Sequence, residues 1–196
     1  YTGNIDAPEP WMHWELDAFP HRMINGKTGG GKSTPMRCTQ LHGVVTGAEL
    51  FVFSGKKSGE FGWLRRRGLA SIASTPPGWA FMADHLWSEF QRRQQLLEDS
   101  GLEWWWEHPD IGHRIVVSVD ELMLITGAAT KDDLTPFRSL TGGRLTELAA
   151  ASRSCGMHLD MATQYGIAQA GGSSGSLMRF NLSGRMVVGA SNPDGL

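Results

Sequence analysis

Apolar residues in this chain fall into short runs that are separated by polar or glycine-rich segments. The run at 115–119 consists of four β-branched apolar residues and one serine. This composition is typical of a strand that is buried on both faces of a parallel sheet. Further runs predict strands at Met23-Ile24, 50–53, 157–162 and 185–189, although polar neighbours dilute the first of them.

Between these runs, apolar residues recur at helical spacing. One helix is predicted to begin near Ser33, a long one to span about 79–99, and a third to cover about 145–154. Glycine follows each of them, as is typical of helix ends. The order of strand, loop, helix and strand near residue 30 is that of a nucleotide-binding α/β unit. We therefore expect the α/β class, with a largely parallel central sheet flanked by helices.

Length and composition limit the classes of protein that remain. The 196 residues are enough for one α/β domain with a sizeable core. The net charge of −2 argues against a generally basic nucleic-acid-binding surface, but it leaves room for a local basic stripe. Cys38 and Cys155 form no CxxC motif, so we expect a reducing compartment and no structural metal. No signal peptide or membrane-spanning stretch is evident.

The strongest chemical signal is the loop at residues 26–33, which matches GxxxxGK[ST] in full. Its glycines let the backbone curl so that successive N–H groups point inward and hold a β-phosphate. Lys32 is predicted to reach the β- and γ-phosphates, and Ser33 to hold Mg²⁺. A plain glycine-rich loop is the alternative, which the Lys-Ser pair directly after the glycines disfavours. The predicted nucleotide-binding residues are Gly26, Lys27, Thr28, Gly29, Gly30, Gly31, Lys32, Ser33 and Thr34.

A pair of carboxylates, Asp120 and Glu121, directly follows the strand at 115–119. Ligands of open α/β sheets bind at the carboxyl ends of the strands, which is where this pair is predicted to lie. Asp120 is then suited to hold Mg²⁺, and Glu121 to act as the general base for the attacking water. A solvated turn or a helix N-terminus that favours negative charge is the alternative interpretation.

Gln164 ends the predicted strand at 157–162, beside the expected position of the acidic pair. A glutamine there is suited to contact the γ-phosphate or the attacking water. This hypothesis depends on the phosphate loop and the acidic pair, because a glutamine alone would be unremarkable.

In their order along the chain, these motifs resemble the motor domain of the FtsK/SpoIIIE DNA translocases, including the FtsK-like Tra proteins of conjugative plasmids. The phosphate loop is shared with many NTPases and is not diagnostic. The segment from Arg153 to Leu159 and its continuation to Gln164 is more specific. The resemblance runs from about residue 20 to 191 and rests on Pro20-His21, the phosphate loop, 89–93, 116–121, 153–159, 162–164 and 181–186.

The resemblance implies a RecA-like P-loop fold and an ATPase that uses ATP with Mg²⁺. It also implies a homo-oligomeric ring, usually a hexamer, that hydrolyses ATP at its subunit interfaces and moves double-stranded DNA through a central channel. By motif position, Arg185 is the first candidate and Arg153 the second for an arginine that completes the neighbour's site. A salt bridge at the strand edge is the alternative for Arg185. Chromosome segregation and conjugative plasmid transfer are the roles implied.

The same resemblance divides the chain into a lead-in segment at 1–19 and a RecA-like motor core at 20–196, which we expect to be incomplete at its C-terminus. We expect a cytoplasmic location at the inner face of the cell membrane, through an anchoring region or partner outside this sequence. Two alternatives stay open: a secretion-system-type ATPase that moves protein, and a nucleotide-binding regulatory module with little turnover. The densest basic stretch is a candidate DNA contact or a solvated face: Lys56, Lys57, Arg65, Arg66 and Arg67.

Overall fold

The computed structural model describes residues 14–16, 18–55, 59–126, 133–164, 178 and 180–189, and the account that follows is confined to them. The strands are β1 (His21–Gly26), β2 (Glu49–Phe53), β3 (Ser71–Ala73), β4 (Ile115–Val119), β5 (Met157–Thr163) and β6 (Gly184–Val188). The helices are α1 (Ser33–Val45), α2 (Gly62–Arg66), α3 (Pro76–Ser100), α4 (Leu122–Thr126) and α5 (Thr135–Ala151), with 3₁₀ turns at Gly59–Phe61 and Trp105–Glu107.

The six strands of the described residues form one sheet in the order β3-β2-β4-β5-β1-β6, and all neighbouring pairs are parallel. Every residue of β4 and β5 is buried, as the apolar run at 115–119 predicts for its strand. Because β5 lies between β1 and β4, the carboxyl ends of these three strands meet at one edge. The predicted α/β class with a parallel central sheet is confirmed.

Helices cover both faces of the sheet, so alternate residues of each strand enter different cores. On one face, Val117 packs in a core with Leu86 of α3 and Leu145 of α5. On the other face, Val116 packs in a core with Met36 of α1. Burial on both faces explains why the central strands consist of nearly continuous apolar runs rather than alternating ones.

The long helix agrees closely with its sequence pattern. The predicted span of 79–99 lies inside α3, whose N-cap Thr75 accepts a hydrogen bond from the Gly78 N–H. At the other end Gly101 adopts the left-handed conformation (φ 64°) that favours glycine at a helix C-terminus. One residue of this helix differs from expectation. A charged arginine is usually exposed, but Arg93 is 1% exposed and donates to Glu89 (2.7 Å) and to the Cys155 carbonyl (3.0 Å).

The helix predicted at 145–154 is instead α5, which begins ten residues earlier and ends at Ala151. Pro136 lies in its first turn, where the missing N–H costs little. The glycine pair at 142–143 disfavours helix by local propensity. The helix forms nevertheless, because Leu145, Leu148 and Ala149 of α5 are buried in the core beside the sheet. Tertiary packing therefore outweighs local propensity.

Candidate nucleotide-binding site

The phosphate loop connects β1 to α1, as its sequence predicts. β1 ends at Gly26 and α1 begins at Ser33. Within the loop, Gly29 and Gly31 have φ angles of 74° and 92°, which side-chain-bearing residues rarely adopt. The Gly30 N–H donates to the Lys27 carbonyl at 3.0 Å, which closes a tight turn. The predicted strand, loop and helix are therefore all present in this segment.

Lys32 is folded back over this loop, and its side chain is buried. Its Nζ donates to the carbonyl oxygens of Gly26 (2.6 Å) and Lys27 (3.0 Å). A small cavity of about 80 Å³ adjoins the loop, and Asp120 from the end of β4 forms part of its wall. The cavity is lined by Thr28, Gly29, Gly30, Gly31, Lys32, Ser33, Met36, Asp120 and Ala162. The structure thus brings the Lys32 ammonium, the Ser33 hydroxyl and the Asp120 carboxylate to one small cavity, as the sequence predicted.

The donors at this cavity fit Mg²⁺. The Ser33 hydroxyl and the Asp120 carboxylate are oxygen ligands, and Mg²⁺ bound with a nucleotide needs only one or two protein ligands besides phosphate oxygens and water. In the described part of the chain, no cluster of three or more His, Cys, Asp or Glu side chains is arranged to hold a metal ion. The local donor set therefore suits a metal ion that arrives with a nucleotide.

Glu121 and Gln164 are in direct contact at the edge of the sheet. Glu121 is 2% exposed, and its two carboxylate oxygens accept hydrogen bonds from Gln164. The Gln164 Nε2 donates to Oε2 at 2.8 Å, and its backbone N–H donates to Oε1 at 3.3 Å. The Thr28 hydroxyl in turn donates to the Gln164 Oε1. The sequence predicted that Gln164 lies beside Glu121, but it did not predict the hydrogen bond from Thr28 of the phosphate loop to Gln164.

A buried ion pair fixes the first turns of α1 against the sheet. Arg22 on β1 makes two hydrogen bonds to Asp160 on β5, at 2.9 and 2.8 Å, and a third to the Thr39 hydroxyl on α1 at 2.8 Å. Burial raises the pKa of Asp160, and the Arg22 guanidinium opposes that shift. Sequence analysis missed this pair, although an aspartate inside an apolar strand was the available signal.

A second, larger cavity of about 680 Å³ begins beside the phosphate loop and continues along α1. Gly30, Gly31 and Thr34 line the end nearest the loop. Met186 and Val188 of β6 contribute apolar surface, and Cys38 of α1 also lines the cavity. The sequence did not predict this cavity, because its walls come from distant segments of the chain.

Arg185 lies on the other face of the sheet from this cavity. Met186 and Val188 pack toward α1, so strand alternation directs the exposed Arg185 to the opposite face. In the register with β1, Val188 pairs with Gly26 whereas Arg185 pairs with Met23, which is three residues before the loop. The structure therefore does not bring Arg185 to the phosphate loop of its own chain, and its role in a neighbour's site stays a prediction.

Two other groups of cations lie away from this site. Arg153 precedes β5, at the sheet edge opposite Gln164, and its guanidinium lies 5.3 Å from the Trp104 ring centroid. Arg65, Arg66 and Arg67 are exposed at the end of α2. The remaining basic residues of the candidate DNA contact, 56 and 57, are outside the described residues, as is most of the lead-in segment 1–19.

Comparison with known proteins agrees with this fold. No protein-family model matches the chain. The chain is 28% identical to the DNA translocase FtsK of Sporosarcina ureae, in a match that covers 78% of this chain and 21% of that protein. The structure of the pCW3 conjugation coupling protein TcpA, in a monomer form with ATPγS, superposes with a TM-score of 0.80 and 25% identity, covering 89% of this chain and 50% of that one.

Secretion ATPases share the fold at lower identity. EssC (ATPases 2 and 3) from Geobacillus thermodenitrificans has a TM-score of 0.66 and 16% identity, over 86% of this chain and 32% of that one. EccC (ATPases 2 and 3) from Thermomonospora curvata, in complex with a signal sequence peptide, has a TM-score of 0.65 and 18% identity, over 90% and 31%.

The parallel sheet, the phosphate loop and the acidic pair define a RecA-like P-loop ATPase fold. Within that class, the resemblance to the FtsK/SpoIIIE motor domains is confirmed in both sequence and structure. The chain spans about a fifth of the FtsK relative and half of the TcpA chain. Among the described residues, no helix is both long and apolar enough to cross a membrane.

Proposed function

We propose that this chain is the motor core of an ATP-dependent translocase of double-stranded DNA. The observation that carries the proposal is the convergence of Lys32, Ser33 and Asp120 on one small cavity, with Glu121 beside them at the same sheet edge. Similarity to a DNA translocase and to a conjugation coupling protein supports DNA as the polymer that is moved.

Each of these residues has a distinct part in hydrolysis. Backbone N–H groups of the loop and the Lys32 ammonium bind the β- and γ-phosphates. Ser33 and Asp120 would hold Mg²⁺, which would supply charge neutralisation at the phosphate oxygens. Glu121 takes a proton from a water that attacks the γ-phosphorus. The bond between that phosphorus and the β–γ bridging oxygen breaks, which releases ADP and inorganic phosphate.

The large cavity beside the loop supports a nucleoside triphosphate rather than a simple phosphate as the substrate. Its apolar walls begin at Gly30 and Thr34, next to the phosphate-binding loop. A purine base has a large apolar face and fits such a cavity better than open solvent. We place the adenosine of ATP at this end, between α1 and β6.

The proposal includes assembly. Arg185 is exposed on β6, an edge strand of the described sheet, and points away from its own phosphate loop. We place it at a subunit interface of a homo-oligomeric, hexameric ring, where it stabilises charge in the neighbour's transition state. By its family resemblance we place the ring in the cytoplasm, at the inner face of the membrane, for chromosome segregation or plasmid transfer.

A secretion-type ATPase that moves protein is the second candidate, because the secretion ATPases EssC and EccC share the fold. The ATPase rate of the full chain, measured with and without long duplex DNA, separates the two functions. We expect DNA to increase the rate, and Lys32→Ala to remove the activity under both conditions. A rate that responds to a secretion-signal peptide and not to DNA would favour the protein-moving function. A parent protein that binds ATP but shows little turnover, with or without DNA, would favour a regulatory nucleotide-binding module.

A further inference from the structure

Trp14, a residue of the lead-in segment, reaches the large cavity beside the phosphate loop. Its side chain lines the same cavity as Gly31 of the loop and Met186 of β6. The indole is half-buried, so protein covers only part of its surface. The sequence predicts that residues 1–19 lie outside the motor core, whereas the structure brings this side chain to a cavity of that core.

The indole of Trp14 is held in one orientation. Its Nε1 donates to the Phe19 carbonyl at 2.6 Å, and the Phe19 N–H donates to the Glu15 carbonyl at 2.8 Å, which closes a turn before β1. One face of the ring lies over the Arg22 guanidinium, with 4.3 Å between the ring centroid and Cζ. Arg22 is itself fixed by its buried ion pair with Asp160. A ring that is already ordered loses little conformational entropy when a ligand stacks on it.

The indole lies level with the first two turns of α1. Arg22, on which it stacks, donates through Nη2 to the Thr39 hydroxyl at 2.8 Å and to the Pro35 carbonyl at 3.4 Å. Because an α-helix rises 1.5 Å per residue, Thr39 lies about 9 Å along α1 from Ser33, where the phosphates are proposed to bind. A nucleoside triphosphate that extends from the loop along α1 would bring its base to this part of the cavity.

The walls of this part of the cavity suit a flat apolar ring. Met186 and Val188 contribute aliphatic surface, and Trp14 contributes an aromatic ring. Since Arg22 covers one face of the indole, the opposite face is the one that is left for a base to stack on. Every base has such a face, and a purine buries more of it than a pyrimidine because it has two fused rings.

We propose that Trp14 is the stacking platform for the base of the bound nucleotide and that it favours purines over pyrimidines. The inference rests on the proposed ATPase function and adds a specificity-determining residue that lies outside the phosphate loop and the acidic pair. Stacking recognises the face of a base rather than its edge, so Trp14 favours ATP and GTP alike. Its contribution is to binding and not to the hydrolytic step.

The test compares ligands with and without a base, by calorimetry on the full chain. Trp14→Leu keeps an apolar side chain and removes the aromatic face, and it should lower ATP affinity by roughly tenfold or more. Inorganic tripolyphosphate should bind the parent and this variant within about twofold of each other, because it has no base to stack. Trp14→Phe keeps an aromatic face and should stay within about threefold of the parent for ATP. GTP affinity should fall as ATP affinity does, and UTP affinity should fall less.

The matched control is Trp106→Leu, which makes the same substitution at an exposed tryptophan that does not line this cavity. It should leave ATP affinity unchanged. Equal losses of ATP and tripolyphosphate affinity in Trp14→Leu would overturn the inference, because Trp14 would then act by supporting Arg22 and α1. Parental ATP affinity of Trp14→Leu, an equal loss for ATP and UTP, or equal losses for leucine and phenylalanine would overturn it as well.

A second measurement uses the parent protein and does not depend on how the variants fold. ATP that carries an azide on C2 of its adenine is bound and illuminated, and the labelled peptides are identified by mass spectrometry. We expect label on the peptide that contains Trp14, and we expect excess ATP to prevent it. Label that ATP prevents but that is confined to other peptides would place the base elsewhere and overturn the inference.

Failure of the proposed function would look different. If the chain did not bind nucleotides through its phosphate loop, the parent would bind neither ATP nor tripolyphosphate, or Lys32→Ala would bind both as the parent does. If only the stacking role were wrong, the parent would bind both ligands, Lys32→Ala would weaken both, and the Trp14 variants would show one of the contradicting patterns.

Discussion

The stability of this fold is expected to fall as the pH is lowered below about 6.5, because of one buried imidazole in the strand that leads to the phosphate loop. His21 is 2% exposed, and its Nδ1 accepts a hydrogen bond from the Leu159 N–H at 3.2 Å. Burial, and after it electrostatic repulsion from His158 and Arg153, lowers the pKa of His21 from 6.5 to about 3. The folded protein therefore keeps this imidazole neutral under mildly acidic conditions.

The sign and size of the effect follow from proton linkage. The unfolded chain binds a proton at His21 below pH 6.5, whereas the folded chain binds it only near pH 3. Acid therefore favours the unfolded state throughout this window. At about pH 5 the difference amounts to roughly 1.5 pH units at 1.36 kcal/mol each, or about 2 kcal/mol of lost unfolding free energy.

Urea unfolding of the parent and of His21→Asn, from about pH 7.5 to 5, measures this contribution. The asparagine Oδ1 replaces Nδ1 as an acceptor and does not titrate, so the variant should lose about 2 kcal/mol less than the parent over this range. The matched control is His113→Asn, which replaces an exposed imidazole and should parallel the parent. Identical pH slopes for the parent and His21→Asn would refute the argument, because the folded state would then accept the proton as readily as the unfolded chain.

Three further predictions concern the site. Glu121→Gln should leave ATP affinity in calorimetry nearly unchanged and lower turnover by roughly 10²-fold or more, because the general base is lost. Mixing inactive Arg185→Ala subunits with inactive Glu121→Gln subunits should recover partial ATPase activity, since some interfaces then pair an intact base with an intact arginine. ATP should slow alkylation of the exposed Cys38, which lies in the wall of the proposed nucleoside cavity, as measured by intact mass. The matched control is Cys155, which should stay unmodified with or without ATP, because it is buried and burial raises the pKa of its thiol.

Each of these predictions has a result that would contradict it. Parental turnover of Glu121→Gln would assign the base to another residue. Failure of the mixed subunits to recover activity, with assembly confirmed, would favour a role for Arg185 within its own chain. Equal alkylation of Cys38 with and without saturating ATP would contradict the placement of the nucleoside in the large cavity.

The residues that bind phosphate could be predicted from the sequence because their geometry is local. Gly29 and Gly31 need left-handed backbone angles, and Lys32 follows them at a fixed spacing, so eight consecutive residues contain the information. The strand at 115–119 was predicted with its observed bounds, because burial on both faces requires a continuous apolar run. Asp120 and Glu121 directly follow this strand, so their position at the carboxyl end of the sheet could also be predicted from the sequence.

Local patterns were insufficient where a distant segment determines the outcome. Arg93 has a charged side chain that predicts exposure, but Glu89 and the Cys155 carbonyl satisfy it inside the core. The start of α5 was missed because Gly142 and Gly143 weaken the helical signal. β3 has three residues, too few for a pattern, and it forms by pairing with β2.

The sequence by itself determined the class of fold, the phosphate loop and the identity of the acidic residues. Only the tertiary structure decided how they meet. The strand order places β5 between β1 and β4, so Gln164 can contact both Thr28 of the loop and Glu121. Because β1 and β5 are neighbours in the sheet, Arg22 also contacts Asp160, although 138 positions separate them along the chain. These contacts depend on the order and register of neighbouring strands, which no spacing within a single segment encodes.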